Sequence, residues 1–312
     1  MAELRAGFVA IVGRPNVGKS TLLNRCLGEK IAAVTPKPQT TRNRIMGVKN
    51  RPGAQVVYVD TPGIHRGKSP LNRFMVDEAL RAAAECDVIL FMVEAPRVSA
   101  RDLAARPFDP GEGNRLILGK LAELRVPRIL ALNKVDLLPE KAALLPLIDH
   151  YRKLLPFDEI VPISAATGDG VEALEAAVAA RLPVGERLFP EEMLTDRAER
   201  FLGAELVREQ LFLLLAEELP YSTAVTIEKW TERADKKDVV IDADIHVERE
   251  SQKKIVIGEG GRMIKEIGTR ARAEIARLLG CPAHLKLFVK VSPDWTREKG
   301  ALRRLGYGED GG

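Results

Sequence analysis

Gly13-Arg14-Pro15-Asn16-Val17-Gly18-Lys19-Ser20, with Thr21 behind it, is the stretch on which the fold turns. It fits G-x-x-x-x-G-K-[ST] and stands between an apolar run at 8–12 and an amphipathic pattern at 20–27, the strand-loop-helix setting that this motif requires. Glycines in such a loop let backbone N–H groups curl around phosphate oxygens, and the following helix N-terminus adds a fixed positive dipole. Lys19 is placed to reach β- and γ-phosphates, and the Ser20 hydroxyl to ligate Mg²⁺. Alone, the motif implies a nucleotide without saying which one.

Outward from it, β-rich runs at 8–12, 55–59, 88–93, 128–132 and 159–163 alternate with helical patterns at 20–27, 71–85, 116–124, 141–154 and 171–181. Such alternation implies a mostly parallel sheet covered on both faces, with ligands held beyond the carboxyl ends of the strands. Three further loops fall at those ends. Asp60-Thr61-Pro62-Gly63 offers a carboxylate to hold Mg²⁺ through a water, and a backbone N–H at Gly63 for a γ-phosphate. Asn133-Lys134-Val135-Asp136 offers a carboxylate that accepts from guanine N1–H and the exocyclic amine; adenine has no such donor pair and would leave it unsatisfied. Ser164-Ala165 offers backbone amides to guanine O6. Four loops in this order, each closing a strand pattern, point to GTP and GDP rather than ATP. Between the first two lies Lys37-Pro38-Gln39-Thr40-Thr41-Arg42. A threonine there can put its hydroxyl on Mg²⁺ and its amide on the γ-phosphate; Thr41, directly before the arginine, is preferred to Thr40.

Pro183, Gly185 and Pro190 interrupt the alternation and read as a linker. Beyond it a helix pattern at 196–218 precedes strands at 222–231 and 239–247, helical sequence at 255–279 and a last strand at 284–291. Within this α-β-β-α-α-β order stands Val256-Ile257-Gly258-Glu259-Gly260-Gly261-Arg262-Met263-Ile264-Lys265-Glu266-Ile267. Ile264 and Ile267 share a helical face that would pack onto a sheet. The Gly258-x-x-Gly261 turn lets a nucleic-acid backbone come close, with Lys253, Lys254, Arg262, Lys265, Arg270 and Arg272 to neutralise phosphates. Glu259 places an acid inside that turn. The charge distribution agrees: residues 186–250 hold 17 acidic and 9 basic side chains, and residues 253–304 hold 13 basic and 5 acidic.

The four loops, the Pro38-Gln39-Thr40-Thr41-Arg42 segment and the glycine turn together resemble the Era family of GTPases over about residues 5 to 307. The resemblance implies an α/β P-loop GTPase domain with a mixed, mostly parallel sheet at 1–182, a linker at 183–195, and an α+β type II KH domain with a C-terminal tail at 196–312. It implies GTP hydrolysis with Lys19, Thr41 and Gly63 in the catalytic set, Mg²⁺ on Ser20, Thr41 and, through water, Asp60, and RNA on the KH turn. The implied target is single-stranded sequence near the 3′ end of small-subunit ribosomal RNA, during assembly of that subunit. Ile64 stands where other GTPases carry a glutamine that orients the attacking water, which implies slow intrinsic turnover. Water would then be positioned by backbone, by a partner or by a cation, and Asn16 matches an asparagine that holds K⁺ in related GTPases.

Other features bound the alternatives. The 312 residues carry a net charge of +4, 46% hydrophobic and 29% charged residues, as expected for two soluble domains. No run nears the roughly 18 apolar residues that cross a bilayer, and no leader is evident, so a cytoplasmic protein is expected. Cys26, Cys86 and Cys281 are too scattered for a disulfide framework or a zinc site. Membrane association through 196–218 is possible, but that stretch is acidic where membrane-surface helices are basic. A tRNA-modifying GTPase would need a second chemical site, and His65, His150, His246 and His284 form no cluster in sequence. The segment 94–115 reads as an inserted surface loop without assigned function. The tail from Trp295 to Arg304 reads either as an additional RNA contact or as a fraying surface helix, and 308–312 as disordered.

Overall fold

Strands buried on both faces read as unbroken apolar runs, and Phe8-Val9-Ala10-Ile11-Val12 and Val88-Ile89-Leu90-Phe91-Met92-Val93 are such runs. The computed structural model describes residues 3–66, 69–97, 99–105 and 108–307. The expectation of a disordered tail, and Val98, Arg106 and Pro107 within the 94–115 segment, fall outside these. The chain divides into two compact units: Met1–Glu29, Thr41–Arg66 and Met75–Asp196 in one, and Lys30–Thr40, Gly67–Phe74 and Arg197–Gly312 in the other.

In the first unit, β1 (Arg5–Gly13), β2 (Ile45–Arg51), β3 (Ala54–Asp60), β4 (Val88–Glu94), β5 (Arg128–Asn133) and β6 (Glu159–Pro162) form one sheet in the order β2-β3-β1-β4-β5-β6. β1 runs parallel to both β3 and β4, and β5 and β6 continue the parallel set. The chain therefore leaves β1 at the point where strand order reverses, and the phosphate loop sits there. The helices are α1 (Lys19–Leu27), α2 (Pro70–Glu85, of which residues 75–85 fall in this unit), α3 (Ala100–Ala105), α4 (Glu112–Ala122), α5 (Leu144–Leu154) and α6 (Val171–Ala179).

Strand β2 is missing from the sequence-based expectation. It is an edge strand, antiparallel to β3, and its residues Lys49, Asn50 and Arg51 carry no apolar alternation. Its place is set by contact: at Gly47 a Cβ would stand 2.5 Å from Leu27 Cδ1 and 3.1 Å from Leu23 Cδ1, so only glycine lets α1 lie this close. The segment 94–115 is also corrected from the expected loop, since it contains α3 and opens α4.

The second unit follows the expected order. α7 (Glu199–Leu214) precedes β7 (Ala224–Arg233) and β8 (Asp238–Val247), then α8 (Glu250–Ile257), α9 (Arg262–Leu279) and β9 (Ala283–Val291). β8 pairs antiparallel with β7 and parallel with β9. Leu206, Val207 and Leu211 of α7 join Ile241, Ala243 and Ile245 of β8 and Ile267, Ala271 and Ile275 of α9 in one core. The apolar stripe of α7 is thus core packing. Trp295 is fully buried, donates its indole N–H to Ser222 O at 3.0 Å and stacks on Tyr307 at 5.6 Å. The tail is therefore anchored rather than fraying, and α10 (Lys299–Arg304) leaves Arg303 and Arg304 exposed. Among the described residues no helix is long and apolar enough to cross a membrane.

Candidate active site and nucleic-acid interface

The phosphate loop is already curled. Asn16 and Gly18 have φ of 63° and 101°, and Lys19 turns its ammonium back onto the loop, donating to Arg14 O at 3.0 Å and Gly13 O at 3.4 Å. A Cβ at Gly13 would stand 2.5 Å from Met92 O, so the exit from β1 requires glycine. Lys19 is buried, and burial brings its ammonium down to about 8 while Asp60 pulls the other way. Anionic phosphates in the loop would favour the charged form.

Ser20, Thr41 and Asp60, distant in sequence, meet beside Lys19. Ser20 Oγ donates to Asp60 Oδ2 at 2.6 Å, Thr41 Oγ1 lies 2.9 Å from Ser20 Oγ, and Thr41 Oγ1 donates to Asp60 Oδ2 at 3.4 Å. Thr40 faces elsewhere: its hydroxyl lies 2.6 Å from Thr35 Oγ1 and donates to Lys37 O at 2.9 Å. The adjacent threonines are thus sorted by the fold, with Thr41 on the cluster. Asp60 is fully buried and its Oδ1 has no partner; burial lifts the carboxyl to about 6 against the pull of Lys19, Ser20 and Thr41. An orphaned buried carboxylate oxygen beside two hydroxyls is the donor set a magnesium ion with retained waters would use, so the residues fit the ion.

Gly63 lies against the phosphate loop, where a Cβ would stand 2.6 Å from Pro15 N and 2.7 Å from Pro15 Cα. The next residue donates its amide to Gly13 O at 3.0 Å, and its side chain, Ile64, is buried. A buried isoleucine leaves no polar group at this position to orient a water. Gly63→Ala is expected to lower kcat by about tenfold or more while GDP affinity stays within about threefold. Single-turnover hydrolysis and GDP titration would check this, and an unchanged kcat would refute the close-approach argument.

At the base end, Asn133 ties two loops together. Its Nδ2 donates to Val17 O at 2.7 Å and its Oδ1 accepts from Ala165 N at 2.8 Å. At Gly18 a Cβ would collide with Asn133 Nδ2. Lys134 adopts φ 66°, opening a single turn, Val135–Leu137, that leaves Asp136 exposed. The amides expected on guanine O6 are both engaged within the chain: Ser164 N donates to Asp169 O at 2.8 Å, and Ala165 N to Asn133 as above. A base oxygen at either amide would have to share it.

The segment 94–115, remote in sequence from these loops, touches two of them. Glu94 pairs with Lys134 at 2.7 Å, and at Gly113 a Cβ would stand 2.9 Å from Arg14 Nε. Nothing in its sequence signals this, since the first contact depends on the pairing of β4 with β5 and the second on where α4 packs.

In the second unit, Gly258, Gly260 and Gly261 all have positive φ, and Gly261 N donates to Gly258 O at 3.1 Å, closing the turn between α8 and α9. Ile267 is buried; Ile257 and Ile264 are half-buried against the core. Lys254, Arg262 and Lys265 are exposed and Lys253 is half-buried. Glu259 pairs with Arg262, which offsets the acid in the turn and occupies one of the expected phosphate contacts. Ile255, 55% exposed on α8, is an apolar surface residue just outside the motif that begins at Val256. No pattern in the sequence marks its exposure.

A family model described as a 50S ribosome-binding GTPase matches residues 8–134, and one described as a KH domain matches residues 218–296. GTPase Era of Geobacter metallireducens is 51% identical over 303 residues, covering 97% of this chain and 98% of that protein. GTPase Era of Geotalea uraniireducens is 52% identical over 305 residues, covering 98% of each. An Aquifex aeolicus Era variant bound to GDP·AlF4⁻ superposes with a TM-score of 0.89 at 43% identity, covering 98% of this chain and all of that one. Era in complex with MgGDPNP and nucleotides 1506–1542 of 16S ribosomal RNA superposes with a TM-score of 0.90 at 43% identity, covering 98% and 99%. With near-complete coverage at about half identity, the chain belongs to the Era family of GTPases.

Proposed function

We propose that the chain is a cytoplasmic GTP-hydrolysing switch whose KH domain binds the 3′ region of small-subunit ribosomal RNA during assembly of that subunit. Residues 1–182 serve as the GTPase domain, 183–195 as the linker and 196–312 as the RNA-binding domain. The observation that carries the reading is that the Ser20–Thr41–Asp60 cluster and the Gly258–Gly261 turn stand in one chain. A relative 43% identical to it holds MgGDPNP and ribosomal RNA together.

In this reading residues 13–21 wrap the phosphates, and Lys19 offsets charge that develops between the β- and γ-groups. Ser20 and Thr41 hold Mg²⁺ directly and Asp60 holds it through water; the bound ion neutralises charge on the phosphate oxygens. The Gly63 N–H approaches the γ-phosphate, Asp136 reads the guanine edge, and a backbone amide of the turn that begins at Ser164 reads O6. With Ile64 in place of a glutamine, water is positioned by backbone, by a partner or by K⁺ held at Asn16. GTP orders the 37–42 loop and the residues after Gly63, and this bias favours RNA binding in one nucleotide state.

GTP turnover with and without a short RNA copying the 3′ end of small-subunit ribosomal RNA, beside a scrambled RNA, tests the reading. Specific stimulation supports it; equal turnover and equal binding of both RNAs would remove the ribosomal target and leave the GTPase. Running the assay in K⁺ and in Na⁺ tests the Asn16 site, where faster turnover in K⁺ is expected and equal rates would end the potassium reading.

A further inference from the structure

We propose that Arg25 is a positioning residue for guanine recognition, acting through the 164–169 turn rather than on the base; this rests on the guanine-nucleotide reading above. Arg25 stands on the exposed face of α1, whose other face is anchored by buried Leu22, Leu23, Cys26 and Leu27. Across 140 residues of sequence, its Nε donates to Ala165 O at 3.3 Å and its Nη2 donates to Ala166 O. The turn folds over the guanidinium at Gly168, where φ is 94° and a Cβ would stand 3.7 Å from Nη1.

Peptide geometry gives these bonds a consequence. In a trans peptide the carbonyl and the N–H of the next residue point in opposite directions. Holding Ala165 O toward α1 therefore turns the Ala166 N–H away from α1. Holding Ala166 O does the same for Thr167 N–H, which donates to Ser164 Oγ at 3.1 Å. Ser164 and Ala165 amides are committed to Asp169 O and Asn133 Oδ1. Among the described residues the Ala166 amide has no acceptor, and Ala166 is exposed. The donor that the turn can still offer to guanine O6 is thus the one whose direction Arg25 sets. The same helix begins at Lys19 and Ser20, about 7.5–9 Å away along its axis, so one rigid element carries phosphate ligands at its start and the grip on the base turn further along.

The test uses the full chain and two ligands, GDP and 6-thio-GDP. The thio analogue keeps N1–H and the 2-amino group for Asp136 but replaces O6 with a weak acceptor. Wild type is expected to prefer GDP. Arg25→Ala is expected to weaken GDP about tenfold and 6-thio-GDP less than about twofold, so that the preference collapses. Arg25→Lys, a point charge that can reach one carbonyl but not both, should fall between. In GTP turnover the loss should appear in KM rather than kcat. Equal weakening of both ligands would reduce Arg25 to support of the fold, and an intact preference in Arg25→Ala would also overturn the proposal. If wild type itself shows no preference, the O6 reading of the turn fails, and the proposal falls with it.

Discussion

Asp136→Asn is expected to exchange GTP specificity for XTP specificity, with kcat/KM for GTP falling by about a hundredfold or more and kcat/KM for XTP rising by a similar factor. Guanine presents two donors, N1–H and the 2-amino group, and a carboxylate accepts both. An asparagine amide keeps one acceptor and turns a donor toward the 2-amino group, so one bond is lost and a repulsion is added. A hydrogen bond to a charged group contributes about 1.5–3 kcal/mol, and an unpaired polar group at the interface costs about 1–3 kcal/mol more. Together these give two or more orders of magnitude. Xanthine carries a carbonyl where guanine has the amine, and that carbonyl matches the amide donor. Asp136 is exposed in its own short turn and the fold has no visible need of its charge, so the substitution should leave melting temperature unchanged. Steady-state kinetics with both nucleotides checks the exchange. GTP kinetics within threefold of wild type would mean that the guanine edge is read elsewhere.

Gly258→Asp should sharply weaken specific RNA binding and leave intrinsic GTP turnover intact. Gly258 has φ 72° and ψ 170°, and a Cβ there would stand 2.7 Å from Met263 Cβ and 2.9 Å from Met263 N. Any side chain pushes the start of α9 away from the turn, and a carboxylate adds repulsion where phosphate approaches. Gly260 is the control, with φ 59° but open space around its Cβ position. The expected losses in RNA affinity at fixed salt are about a hundredfold for Gly258→Asp and about fivefold or less for Gly260→Ala. Fluorescence anisotropy with the 3′-end RNA reads both. Equal modest losses would place the RNA away from this turn. A GTP turnover that also collapsed would show that the substitution unfolds more than the turn.

Much of the site is legible in the amino-acid sequence because its chemistry is local. The phosphate loop needs glycines, a lysine and a hydroxyl within eight residues, and the guanine loop needs a carboxylate three residues after an asparagine. The glycine turn is equally compact. Such patterns survive in sequence because their geometry is set by neighbouring peptide units. The alternation of apolar runs with amphipathic stretches similarly carries the order of strands and helices, since a strand buried on both faces cannot be polar.

What stays hidden depends on residues far apart in the chain. β2 has no periodicity of its own and becomes a strand because β3 pairs with it and Gly47 admits α1. Thr40 and Thr41 differ by one position; the path of the backbone turns one toward Ser20 and Asp60 and the other toward Thr35 and Lys37. The 94–115 segment gains its neighbours, Arg14 and Lys134, from the packing of α4 and the end of β4. Trp295, which reads in sequence as part of a basic surface tail, is a core residue because Ser222 and Tyr307 meet it. Sequence alone determined which residue chemistry is present and the local turns that present it. Tertiary packing decided which of two equivalent side chains faces the site, because that choice depends on contacts between residues whose separation no local pattern encodes.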